Sequence, residues 1–319
     1  FRNGDIEINT ALSDDDFNPR STRGYLFATG RFGLPRDFFL RFDLELASDD
    51  TFLLDHGFST KNRLRSGVSI ERARRDEYTR LALDHFQSLR VNESDSTLPS
   101  IVADGEYTRR IFPSRLGGEL SLTALAHSHY RTSSLRTDGP DFDIFADGHD
   151  VTRFTTEANW QRQWALSSGV LATVETGLAL DHFEIAQIGV TARSQATEIT
   201  PSAAVRLRWP LMKTTRGGVA HVIEPVAQLA WSGGSNPDIP FEESTAVEFD
   251  EGNLFNISRF PSSGRRERGV SGAVGLSYAR VSPEGWEGRL ALGHVIRDER
   301  LLEPTGAPSF TRSSGLRDR

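Results

Sequence analysis

His127 and His129 stand two residues apart, a spacing that puts both side chains on one face of an extended strand. Two imidazoles so placed are the start of a metal site. The simpler reading is a pair of solvated strand histidines beside a loop, because the rest of the eight histidines are scattered. No Ser/His/Asp set, no HExxH, no phosphate loop and no Gly-rich cofactor motif occurs. The cysteine count is zero, which removes thiolate chemistry, disulfides and cysteine metal sites. The residues therefore point to a protein that is not an enzyme and that carries no metal and no cofactor.

Ionisable residues at every second position are what the chain does have. Arg41, Asp43 and Glu45 alternate with Leu40, Phe42, Leu44 and Leu46. Arg153 and Glu157 alternate with Phe154, Ala158 and Trp160. Arg206 and Arg208 alternate with Val205, Leu207 and Trp209, and Glu224 and Gln228 with Ile223, Ala227 and Leu229. Arg63, Arg65 and Glu71 belong to the same polar set. Charges of both signs on one wall would bind no single ion. They would suit water and hydrated sugar.

Only a strand positions residues this way, since its side chains alternate between two faces. No segment shows a helical apolar stripe. About fourteen strands are legible, many of roughly 10 to 16 residues, where strands of soluble domains run roughly 5 or 6. Connections alternate in length as well. Short ones fall at 33–36, 73–76, 112–114, 165–167, 210–218 and 282–285. Long ones fall at 13–23, 48–61, 89–102, 131–150, 184–198 and 232–266. Long and short connections thus collect at opposite ends of one meander, the layout of an outer-membrane barrel. Trp164, Trp209 and Trp286 sit beside short turns, where tryptophan suits a membrane–water interface. The expected fold is all-β: an antiparallel up-and-down transmembrane β-barrel, of which this chain supplies a part.

Composition agrees with this without demanding it. The 319 residues carry a formal charge of -7, and 37% are hydrophobic. The acidic balance argues against nucleic acid as a partner. No run approaches the roughly 18 apolar residues of a membrane-spanning helix. Phe1 opens the chain without a leader pattern, and both ends read as cuts through a longer protein.

Two stretches carry a family resemblance. One is Arg208-Trp209-Pro210-Leu211, then Gly218, then His221-Val222-Ile223-Glu224-Pro225-Val226-Ala227-Gln228-Leu229. The other runs Phe249-Asp250-Glu251-Gly252-Asn253-Leu254-Phe255-Asn256-Ile257-Ser258-Arg259-Phe260, followed by Arg266-Glu267-Arg268-Gly269. Together they resemble the LPS-assembly family LptD, also called OstA or organic-solvent-tolerance protein. Phe42-Asp43-Leu44-Glu45 and 48–53 look like its barrel too. One departure is Arg266, which stands where the family commonly has aspartate.

The resemblance implies a location in the cell outer membrane of a Gram-negative bacterium. It implies a role in inserting lipopolysaccharide into the outer leaflet. It implies as partners lipopolysaccharide, an LptE-like lipoprotein plug and an LptA-like periplasmic bridge. It implies that residues 1–319 are an internal part of the barrel domain, lacking an N-terminal periplasmic domain and C-terminal strands. Asp250, Glu251, Gly252, Asn253, Phe255, Arg259, Phe260, Arg266, Glu267 and Gly269 form its signature loop. That loop has apolar groups poorly suited to water, and it is expected to fold over or into the lumen, with Arg206, Arg208 and Glu224 as partners and Phe255 covering Phe260. A diffusion porin shares the pattern but lacks the 221–260 signature. An outer-membrane hydrolase would need an exposed catalytic set. A soluble β-rich adhesin would not need detergent. Pro225, within a strand, is expected to mark a bulge or a local weakness.

Overall fold

The computed structural model describes residues 3–14, 22–90, 93–135, 149–186, 195–235, 252–260, 264–298 and 312–314. They form one antiparallel sheet. In chain order the strands are β1 (Gly4–Asp14), β2 (Thr22–Gly33), β3 (Phe39–Ala47), β4 (Arg63–Arg74), β5 (Glu77–Ser88), β6 (Ile101–Ile111), β7 (Glu119–Tyr130) and β8 (Asp150–Ala165). There follow β9 (Leu171–Ala186), β10 (Gln195–Arg208), β11 (Leu211–Thr214), β12 (Ala220–Ser232), β13 (Gly269–Val281), β14 (Glu287–Arg297) and β15 (Arg312–Ser314). Each pairs with the next, except that β10 pairs with β12 directly and β11 lies off the path. The up-and-down fold is as expected, and the sheet is open, with β1 and β15 at its edges. Helix among the described residues is limited to one turn, α1 (Phe52–Asp55), and a three-residue 3-10 turn at Pro35–Asp37.

Some boundaries differ from the sequence reading. β9 and β10 run on to Ala186 and back from Gln195, so that connection is shorter than 184–198. The 112–118 connection is longer than the three residues expected. Alternating polarity marks a strand well but marks its frayed end poorly.

Pro225 does not make a bulge. Arg208 pairs with Val226, and Leu211 with Ile223, so the register between β10–β11 and β12 runs unshifted past the proline. Trp209 N–H donates to the Pro225 carbonyl at 3.0 Å. Proline has no N–H to return the bond, so this hydrogen-bonded pair keeps one of its two links.

The register assigns every strand residue to a face. Through consecutive pairings, Leu40, Phe42, Leu44, Leu46, Leu207, Leu229, Leu290 and Leu292 fall on one face. Many large apolar side chains there are open, including Leu81, Leu178, Val205, Leu229, Val274 and Leu290. A sheet held by a soluble core would cover them. Among the described residues the three buried apolar clusters are small. One of them joins Phe52, Leu53, Leu64 and Leu89, with Tyr25 and Phe27 packed against it.

β3 and β4 share only five pairs, from Phe39↔Glu71 to Asp43↔Gly67. Beyond them side chains bridge the split. Glu45 N–H donates to Ser66 Oγ, Arg65 N–H donates to Glu45 Oε2, and Lys61 forms an ion pair with Glu45.

Candidate functional site

The face opposite the open apolar one is polar. The register places Arg41, Asp43, Glu45, Arg63, Arg65, Glu71, Arg153, Glu157, Arg206, Arg208, Glu224 and Gln228 on it together. Its charges pair across strands. Arg41 meets Glu71 at 2.6 Å, Arg65 meets Asp84 at 2.9 Å, and Arg208 meets Glu224 at 2.9 Å. His127 and His129 also lie on this face, but their chemistry is local: His127 Nδ1 stands 2.7 Å from Asp104 Oδ1. Among the described residues no group of three His, Cys, Asp or Glu side chains is set to hold a metal.

Two long loops fold onto the polar face near its long-loop end. In the first, Arg23 is almost fully buried and donates to Asp49 at 2.7 and 2.9 Å, and to Thr51 and Asp55. Phe52 and Leu53 then seat in the buried cluster. The Arg23 hydrogen bond holds the Asp49 carboxyl well below the usual carboxylate range. A depressed carboxylate stabilises docking above its unfolded pKa, about 3.9, and loses that stabilisation as pH falls through the lower folded value. We therefore expect the Phe52–Leu53 bond to resist pepsin at about pH 4 and to become cleavable in stronger acid. An Asp49→Asn chain should be cut already at the milder pH; equal resistance of the two would remove this latch from the account.

The second loop is the signature segment. Asp250 and Glu251 lie outside the described residues. Gly252 and Asn253 open the described part, and the Asn253 carbonyl accepts from Asn256 N–H at 2.9 Å. Leu254 is buried against Ala273 and Val295, with Phe255 packed beside it. The socket exists because β13 and β14 offer glycines here. A Cβ on Gly275 would meet Phe255 at 2.9 Å, and one on Gly293 would collide with Leu254. Gly293→Val should expel the Leu254 side chain and cost about 1–3 kcal/mol by overpacking. Faster amide exchange over 252–260 in a sheet that still forms would be the readout; unchanged exchange would show that the socket does not hold the loop.

Charge fixes the remainder. Arg259 (side chain 0% exposed) donates to Glu267 Oε2 at 2.7 Å and to the Leu254 carbonyl at 2.9 Å. Arg297 of β14 donates to both Glu267 oxygens, at 2.9 and 3.1 Å. Burial pushes the Arg259 guanidinium below its ordinary value, and Glu267 opposes that shift. Arginine still stays cationic at any working pH. Arg266 donates to Glu157 at 2.6 Å and reaches Asp181 at 3.4 Å. Burial alone would lower the Arg266 guanidinium, but Asp181 and Glu157 outweigh it and hold it raised. Arg268 donates to Thr200 and to the Gly233 carbonyl, both at 2.7 Å. Gly269 closes the loop with φ +79, a left-handed conformation that suits glycine, and enters β13.

The sequence-based partners are met only in part. Arg206 donates to the Phe255 carbonyl at 2.7 Å and lies over its ring. Arg208 and Glu224 bind each other instead of the loop. Phe260 lies beneath Arg265, and Phe255 lies on Gly275. Asp181, Asp84 and Arg297, which sequence reading missed, carry much of the pairing. Their only signal was parity within β9, β5 and β14.

Beside the loop, a cavity of about 480 Å³ opens on the polar face. Glu157, Glu175, Asn159, Ser202, Arg206 and Phe255 are among its lining residues. Carboxylate, amide, hydroxyl and guanidinium groups, with Phe255 and Trp160 beside them, line it.

With this two-faced sheet and its folded loop in view, the family match is decisive. The model of LPS transport system D, LptD, matches residues 21–317. The chain belongs to the LptD family. That family is an outer-membrane component of lipopolysaccharide transport and not a family of enzymes. No curated protein matches the chain. No helix among the described residues is long and apolar enough to cross a membrane. The signature loop and the β10–β12 segment both lie within the matched residues.

Proposed function

We propose that this LptD chain forms the wall of a translocon that inserts lipopolysaccharide into the outer leaflet of the outer membrane. The single observation that supports it most is the opposition of the two faces: one apolar and largely open between its charged rims, the other charged, paired and partly covered by the signature loop. Acyl chains must stay out of water and the phosphorylated sugar head out of hydrocarbon, so a transporter needs both surfaces in one wall. Backbone polar groups in lipid need internal partners, which a closed sheet supplies. On this reading Arg41, Asp43, Glu45, Arg153, Glu157, Arg206, Arg208, Glu224 and Gln228 face a hydrated lumen. The 252–268 loop narrows that lumen from the long-loop end. An LptE-like lipoprotein fills the remaining bore, and an LptA-like bridge delivers lipopolysaccharide from the periplasm.

A photo-crosslinking residue tests this reading directly. Placed at Ser202, on the polar face beside the cavity, it should capture lipopolysaccharide while transport is running. Placed at the adjacent Ala203, on the apolar face, it should capture phospholipid. Identical capture at both positions would defeat the assignment of faces, and capture of neither lipid at either would defeat the transport role.

A further inference from the structure

The apolar face sorts its ionisable residues by sign. Following the register, its only Asp, Glu, Lys or Arg residues among the described strands lie at the strand ends. The long-loop end carries Asp14, Asp150 and Glu184, all acidic. The short-turn end carries Arg72, Arg74, Arg109, Arg162, Lys213 and Arg280, against one acid, Glu77. A chain with a net charge of -7 would not gather six cations on one rim by composition.

These cations are not equivalent. Arg72 and Arg109 converge on Glu77, and Arg74 meets Asp37 at 2.9 Å, so their charges are largely answered. Arg162 and Arg280 have no carboxylate partner among the described residues. Instead each lies on a tryptophan: Arg162 Cζ is 5.0 Å from the Trp164 ring centre, and Arg280 Cζ is 3.8 Å from that of Trp286. Arg162 Nη1 is further held by the Leu116 carbonyl at 2.6 Å. A guanidinium stacked on a ring is oriented without being neutralised, and its remaining N–H groups suit phosphate oxygens. Lys213, exposed on β11, stands between the two stations in strand order.

We propose that Arg162/Trp164 and Arg280/Trp286 are two seats for the headgroup of an anionic glycerophospholipid in the leaflet that meets the short turns. The tryptophan rings lie at the depth of the glycerol backbone, and each arginine reaches one phosphate. The two seats are four strand spacings apart, about 19 Å, so they hold separate lipids. This rests on the membrane reading above, and it adds a preference for lipid charge on one leaflet only.

The test uses the intact protein in nanodiscs of phosphatidylglycerol or phosphatidylethanolamine, with native mass spectrometry counting the lipids kept on release. Wild type should keep phosphatidylglycerol several-fold over phosphatidylethanolamine. The R162Q/R280Q pair should keep two fewer and lose that preference, and R162K/R280K should recover part of it. Equal retention by wild type and the glutamine pair overturns the proposal. Quenching of tryptophan fluorescence by brominated acyl chains is read in the same samples. Quenching without a lipid preference defeats only these two seats. Absence of quenching defeats the membrane reading and the seats with it.

Discussion

Glu267→Ala should release the signature loop from the sheet. The substitution leaves Arg259 and Arg297, with side chains 0% and 5% exposed, as two buried cations without their shared anion. Breaking one side of a buried pair typically costs about 3–5 kcal/mol, since the charge left behind has lost its water and gained nothing. At 1.4 kcal/mol per tenfold, the loop's opening equilibrium should rise by more than about 100-fold. Amide exchange at 252–260 should show this directly, and cells carrying the variant should admit large antibiotics that the wild type excludes. Glu267→Gln keeps one acceptor oxygen for the two guanidiniums but loses the charge, and should fall between. Protection of 252–260 unchanged in the alanine variant would mean that Leu254 in its glycine socket holds the loop alone.

Leu292→Arg should block assembly, and Ala291→Arg should not. The two residues are neighbours in the middle of β14, both are exposed, and they point to opposite faces. Leu292 belongs to the open apolar face, where an arginine at mid-membrane costs about 2–4 kcal/mol. Ala291 belongs to the polar face, where a guanidinium stays hydrated. The fraction that shows the heat-modifiable shift of a folded barrel on gels compares them. Equal loss in both would reverse or erase the assignment of faces.

Sequence reading went as far as local physics reaches. Period two is a local property, so the faces of β3, β10 and β12 could be read from Leu40 to Leu46, Val205 to Trp209 and Ile223 to Leu229. The family fragments at 208–229 and 249–269 pointed to the loop before any coordinate did. Which charge meets which is not local. It depends on stagger between strands, and a shift of two residues keeps every face while changing every partner. That is why Arg208 and Glu224, both expected to hold the loop, hold one another, while Asp181 holds Arg266. The same limit explains Pro225. Its missing N–H could be read from the sequence, but whether the strands would slip around it could not.

The signature loop also has a mechanical consequence. Its fastenings run from Glu157 on β8 and Asp181 on β9, past Thr200 on β10, to Arg297 on β14. In sheet order those ends are five spacings apart, about 24 Å along the wall. A strap tied at both ends of an arc is a chord, and a chord of fixed length fixes the radius. The sector from β8 to β14 is therefore stiff, its curvature set by three arginines rather than by the strands. Among the described residues the sector from β1 to β7 has no tie of that span: the Arg23-latched loop reaches only from β2 to β4 and the end of β5, over the β3–β4 joint, which is five pairs long. A change in the bore of this wall, to let a bulky head pass or a plug settle, should therefore meet least resistance at that short joint.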